Sequence, residues 1–222
     1  ALATTWMMSG VVPTLIDYGL QILNPRWFLV TTCAVCAMVS VITGSSWSTI
    51  ATIGVAFMGI GSVMGYSEGW IAGAVISGAY FGDKVSPLSD TTVVASSTCG
   101  VDLFAHIRYM MITTVPAMAL TLLIFGLKGL LSPAVDGGSS ADMIAGLAST
   151  FSITPWTLVI PVITLALIAM RVNTIIVLAI SALLGAAGIF VFQPGLVGGI
   201  ADVGASTWAG FTATTGNATI DE

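Results

Sequence analysis

No charged residue stands between positions 27 and 67, and the stretches 143–170 and 172–201 are uncharged as well. A bilayer core about 30 Å thick takes about 20 apolar residues in a helix, so each of these runs is long enough for at least one crossing. The chain as a whole is 56% hydrophobic and only 7% charged, with a mean hydropathy of +1.04, far above a water-soluble domain. In hydrocarbon every backbone N–H and C=O must be satisfied within the protein, which leaves helices or a closed barrel. A barrel would show polar/apolar alternation in segments of about 10 residues, and that alternation is absent. The expected fold class is all-α: a polytopic transmembrane helical protein. The net charge of −5 argues against nucleic acid as a partner; the lipid bilayer is the expected one.

Seven or eight hydrophobic segments follow one another. Residues 1–23 are apolar but contain Pro13 and Asp17, so a break is expected there. Residues 27–43 predict a clean helix that ends in Gly44-Ser45-Ser46, and residues 50–65 a helix rich in Gly. Segment 70–82 is apolar but short for a crossing, and 91–99 is shorter and more polar. Residues 109–131 can span, with Pro116 as the expected kink and Lys128 snorkelling at the end. Residues 155–170 and 172–192 read as an antiparallel pair turning at Arg171-Val172-Asn173, and 136–140 as a hydrophilic loop. Residues 1–192 thus form the expected transmembrane helical domain and 193–222 a Gly-rich linker. No basic region precedes the first apolar stretch, so no signal peptide is read; both ends look like cuts in a longer protein. Gly54, Gly59, Gly61 and Gly65, then Gly69, Gly73 and Gly78, suit close helix packing in lipid. Cys33 and Cys36 form a C-x-x-C, a redox or metal pattern in soluble proteins. Inside an uncharged helix they read instead as small packing residues. Cys99 reads as structural.

Against this apolar background, Asp83, Lys84 and Asp90 fall within eight positions. A charged side chain at membrane depth costs about 2.5–3.5 kcal/mol. Such a cluster survives only if it faces water, a partner or a transported ion. Irregular backbone at that depth is tolerated where protein or a water-filled cavity covers it. The two short segments around the cluster therefore predict half-helices that meet at a break, the binding architecture of many secondary transporters. The first half-helix is expected to end near Gly82, its negative end and the Asp83 carboxylate together forming a field for Na⁺ or H⁺. Asp83 is the expected carrier, exchanging a proton for Na⁺. Asp90 at a helix N-terminus is expected as an anion that caps or coordinates, so that a Na⁺ site would involve Asp83 and Asp90. Lys84 either neutralises one of these acids or competes with the cation. Ser86, Ser89, Thr91 and Thr92 supply further oxygens, Ser89 as a candidate N-cap, and Pro87 stops the helix from running through.

A second polar break is Gly44-Ser45-Ser46-Trp47-Ser48-Thr49. Its hydroxyls, with Ser45, Ser46, Ser48 and Thr49, are either cation ligands or a turn whose side chains bond their own backbone. The two breaks would form one site if they met, which the sequence leaves open. Asp102 and His106 are spaced to pair on a helix, as a pH sensor or as an interfacial helix start with Arg108 as its anchor. Asp17 is read with equal weight as a pathway or an interfacial acid, and Glu68 as a loop acid.

Three strings carry a resemblance: Trp6-Met7-Met8-Ser9-Gly10-Val11-Val12-Pro13-Thr14-Leu15, Thr43-Gly44-Ser45-Ser46-Trp47-Ser48-Thr49, and the run from Ile76 through Gly82-Asp83-Lys84-Val85-Ser86-Pro87-Leu88-Ser89-Asp90-Thr91-Thr92. Together with Asp102-Leu103-Phe104-Ala105-His106-Ile107-Arg108 they resemble the NhaC family of Na⁺/H⁺ antiporters over most of the chain. Val85 stands where Met is common, Ser48 where Gly is common, and Val93-Val94 where Asn-Leu is frequent; none of these touches the charged pair. The resemblance implies a multi-pass bacterial inner-membrane protein that exchanges Na⁺ for H⁺ without a cofactor. It also implies broken helices and one half of an inverted repeat, whose second half, after a central linker, is the missing partner. Similar members exchange malate and lactate, so small carboxylates are the alternative cargo. An intramembrane aspartyl protease is a distant alternative: Tyr80 stands where its Gly-x-Gly-Asp motif needs Gly, and Asp17-Tyr18 reverses its second motif.

Overall fold

The computed structural model describes residues 2–131, 151–170, 172, 174–195, 199 and 203–206. Among the described residues all regular structure is helical. Four helices there are long and apolar enough to cross a membrane: Pro25–Thr43, Ser46–Val63, Leu103–Leu131 and Ile175–Phe192. The loop expected at 136–140 and most of the linker expected at 193–222 lie outside the described residues, as do Arg171 and Asn173 at the expected turn. The chain divides into two compact units, one of residues 1–22 with 135–222, the other of residues 23–134.

In the first unit, α1 (Leu2–Met8) and α2 (Val11–Ile22) are separated by Ser9-Gly10. The break was expected in this stretch, but Pro13 and Asp17 do not make it. Pro13 sits in the first turn of α2, where a missing N–H costs nothing. Gly10 makes it, with φ +81° in the left-handed region. The turn Pro155–Leu158 leads into α9 (Val159–Ala169), which packs on α10 (Thr174–Phe192), and α1 packs on α10 as well. Buried hydroxyls tie these helices together. Trp6 Nε1 donates to Ser181 Oγ at 3.1 Å, and Ser181 and Thr164 hydroxyls lie 2.7 Å apart. Gln193 both donates to the Ser152 carbonyl and accepts from its N–H, at 3.0 and 2.9 Å.

The second unit is built on the pair α3 (Phe28–Thr43) and α6 (Glu68–Val85), which lie against each other along their lengths. Their approach is set by glycine. A Cβ on Gly78 would strike the Cys33 carbonyl, and one on Gly82 would lie 2.5 Å from the Ala37 carbonyl oxygen. With no hydrophobic force between helices in lipid, this close backbone contact is what holds such a pair. Between them in sequence run α4 (Ser46–Thr49), a π-helical turn (Ile50–Gly54) and α5 (Val55–Val63), together one span. α6 is longer than expected: it does not stop at Gly82 but continues through Asp83 and Lys84 to Val85. Glu68 is not a loop acid but the first residue of α6, where the helix field favours a negative charge. α7 (Asp90–Cys99) is 10 residues long, about 15 Å and so half a crossing. α8 (Leu103–Leu131) is a continuous helix of 29 residues that carries Pro116 inside it. The Lys128 ammonium lies 5.6 Å from the Trp70 ring centre, a cation–π contact at the end of α8.

Candidate functional site

The two polar breaks meet, and Asp83 is where they do so. α3 ends at Gly44, whose φ of +68° only glycine adopts easily. A Cβ there would lie 2.6 Å from the Leu88 backbone, so the absence of a side chain also lets the second break come down onto the first. Ser45 then caps the next helix, accepting from the Ser48 N–H. This turns the chain so that Ser46, 2% exposed, donates its hydroxyl to Asp83 Oδ2 at 2.9 Å. From the other break Ser89, fully buried, donates to Asp83 Oδ1 at 2.6 Å. Both carboxylate oxygens of a half-buried acid are thereby held, each by a residue from a different break.

Serines also fix the register that makes this meeting occur. Ser40 donates to the Ala79 carbonyl at 2.6 Å, and Ser86 to the Val41 carbonyl at 2.7 Å. Both are fully buried, and both bind α3 to α6 within a turn of Asp83. Thr92 Oγ1 reaches back to the carbonyls of Asp83 and Lys84, at 3.4 and 3.3 Å, covering oxygens left free at the end of α6. Ser40 went unnoticed in the sequence because it lies within an apolar helix. Its only local signal is that it shares a helical row with Cys33, Cys36 and Ala37 on the face turned inward.

The electrostatic setting adds to the expected one. Asp83 lies in the last turn of α6, yet its carboxylate bonds to the first residue of α4 and to the N-cap of α7. Helix N-terminal ends carry partial positive charge. Two such starts thus meet the carboxylate in addition to the negative end of α6, in whose last turn Asp83 lies.

The other candidate residues sort by position. Ser89 Oγ spends its one hydrogen on Asp83, so the Thr91 hydroxyl, 2.9 Å away, is the donor in that contact. Ser89 is the N-cap of α7; Asp90 is exposed in the first turn and lies outside the hydrogen-bonded set at Asp83. Lys84 is exposed, and among the described residues it forms no ion pair with either acid. Ser48 and Thr49 bond back to Ser45, as a capped turn does, while Ser46 reaches Asp83. Asp102 and His106 do not pair through their side chains: Asp102 Oδ1 accepts from the Ala105 N–H at 2.9 Å, a helix cap on α8. Asp17 accepts from Gln21 at 3.1 Å on an exposed part of α2.

Comparison with known proteins places these features in context. A model of the Na⁺/H⁺ antiporter family matches residues 8–130 and 78–222. The chain is 44% identical over 221 residues to the Na⁺/H⁺ antiporter NhaC of Alkalihalophilus pseudofirmus, covering 97% of this chain and 46% of that protein. It is 44% identical over 199 residues to the malate-2H⁺/Na⁺-lactate antiporter of Bacillus subtilis, covering 87% of this chain and 42% of that protein. Against the NhaC antiporter of Bacillus subtilis it is 42% identical over 176 residues, 78% of this chain and 39% of that one. The chain therefore spans less than half the length of these relatives. No solved structure matches.

Proposed function

This chain belongs to the Na⁺/H⁺ antiporter family, and from that premise we propose that it exchanges Na⁺ for H⁺ across a bacterial plasma membrane, with Asp83 as the carrier. The supporting observation is the seating of that carboxylate between Ser46 and Ser89, from the two breaks. A hard cation such as Na⁺ is bound by oxygen, through carboxylate, hydroxyl and carbonyl groups. Asp83 supplies the negative charge. Ser46 and Ser89 have lone pairs that face an ion once their O–H bonds turn away from the carboxylate. A proton on Asp83 removes the charge that holds Na⁺, and Na⁺ on Asp83 occupies the oxygens a proton would take. One carboxyl that cannot carry both at once is the chemical basis of exchange. The chemistry is transport, with no bond made or broken other than O–H. The rest of the ion's shell is proposed to come from a counterpart equivalent to the relatives' remaining length.

The test is a pH-jump assay on liposomes containing the protein. Asp83→Asn keeps the shape and removes the charge, and it is expected to abolish Na⁺-driven proton movement. Normal exchange by that variant would overturn the assignment. A second reading has its own support in the malate-2H⁺/Na⁺-lactate relative, equally similar at 44%. Malate or lactate raising the Na⁺ flux in the same liposomes would favour coupled carboxylate exchange.

A further inference from the structure

We propose that Cys33, Cys36 and Met118 form a binding site for a soft monovalent cation of the Cu⁺ and Ag⁺ class, seated between α3 and α8 and separate from the oxygen-lined site at Asp83. Cys33 and Cys36 are free thiols, and both are fully buried. Three positions apart on α3, they share one helix face. From α8 the thioether of Met118 meets Cys33, with Cys33 Sγ and Met118 Sδ 3.9 Å apart. A metal–sulfur bond is about 2.3 Å, and three such bonds in a plane separate the sulfurs by about 4 Å. The Cys33–Met118 spacing already matches one edge of a trigonal site, and Cys36 on the same face of α3 supplies the third sulfur. Thiolate and thioether donors select soft cations and disfavour hard ones such as Na⁺.

Charge decides which soft ion. Net charge at membrane depth is costly. When a monovalent ion binds, one thiol releases its proton to solvent as its sulfur–metal bond forms. The second thiol and the thioether donate lone pairs and stay neutral. One positive charge enters, one leaves, and the site remains neutral. A divalent ion needs both thiols deprotonated and then leaves the thioether, a poor partner for a harder metal, as its third donor. The C-x-x-C, which read as mere packing in the sequence, acquires a third sulfur only through the fold.

The test uses the purified protein in detergent with Ag⁺ as probe. Bound silver is counted after desalting, and its shell is read by X-ray absorption. The expected result, in a Cys99→Ala background that removes the exposed thiol and its own affinity for silver, is one Ag⁺ per chain in a shell of sulfur alone. Adding Cys33→Ala/Cys36→Ala to that background is expected to abolish retention. Met118→Leu conserves volume and so preserves the fold. It is expected to weaken retention by at least the about 10–100-fold that even outer-shell changes cost metal sites. If the double variant fails to fold in a thermal scan, Met118→Leu carries the test by itself. Unchanged silver in either variant, loss on Cys99→Ala alone, or oxygen and nitrogen in the shell would each overturn the proposal. None of these outcomes depends on the transport reading.

Discussion

Ser89 makes three contacts with one hydroxyl: it donates to Asp83, accepts from Thr91 and accepts from the Thr92 N–H. Ser46 makes one, to the other oxygen of the same carboxylate. Their substitutions should therefore separate. Ser46→Ala removes a proposed ligand oxygen and is expected to lower apparent Na⁺ affinity about tenfold or more; the bond to a charged group that it also loses is worth about 1.5–3 kcal/mol, so the melting temperature should fall as well. Ser89→Ala loses the same kind of bond and also a helix cap worth about 0.5–2 kcal/mol. It should lower Na⁺ affinity similarly and the melting temperature further. Na⁺ titrations of proton movement and a thermal scan on each variant decide this; equal stability of the two would contradict the capping role. At this scale the sequence was partly legible. An isolated Asp among apolar residues announces itself by its cost in lipid. Which of the eight candidate hydroxyls touch it does not follow from spacing, because Ser46 and Ser48 are the same residue type two positions apart, and it is Ser46 that bonds Asp83.

Elements act here through close approach. α6 lies on α3 because Gly78 and Gly82 offer no Cβ. Gly82→Ala would place a methyl 2.5 Å from the Ala37 carbonyl oxygen and from Ser40 Cβ. Backbone cannot move aside as a flexible side chain can, so a loss of about 1–3 kcal/mol is expected from overpacking. Asp83, the next residue, would be carried away from Ser46, and Na⁺-driven exchange should fall with stability. Gly69→Ala on the same helix meets nothing within 4 Å and should be neutral or slightly stabilising, since Ala is the better helix former. Thermal scans of the pair check the contrast. In the other unit, Ser181→Ala removes the hydroxyl bonded by Trp6 and close to Thr164. Interhelical bonds in membranes average about 0.6 kcal/mol with a maximum of about 1.7, so a modest loss in that range is expected by the same measurement. Glycine spacing made close packing legible, but not its location. Gly69 and Gly73 belong to the same run as Gly78, and they touch nothing or almost nothing.

For the whole molecule, the proposed competition at one carboxyl has a definite pH signature. Protons and Na⁺ bind Asp83 in exclusion of each other, so lowering the pH should raise the Na⁺ concentration needed for half-maximal exchange while leaving the maximal rate at saturating Na⁺ the same. By linkage, Na⁺ should depress proton uptake to the same degree. Initial rates across a grid of pH and Na⁺ test this, and a half-saturation that ignores pH would contradict a shared site. The sequence by itself determined that the chain is a helical membrane protein, because uncharged runs of that length have no other stable solution in lipid. It also determined the ends of α3 and α7 and the starts of α4 and α7, since Gly44, Ser45, Ser89 and Gly100 satisfy orphan backbone groups using only their immediate neighbours, though not the end of α6. Only the tertiary structure decided that residues 44–49 and 83–92 share one site, that the starts of two helices join the end of α6 at Asp83, and that Met118 reaches Cys33. Caps and hydropathy are local, one-dimensional signals. Which helix lies against which, and in what register, is set by contacts such as Ser40 with Ala79 and Gly82 with Ala37, between residues far apart in the chain.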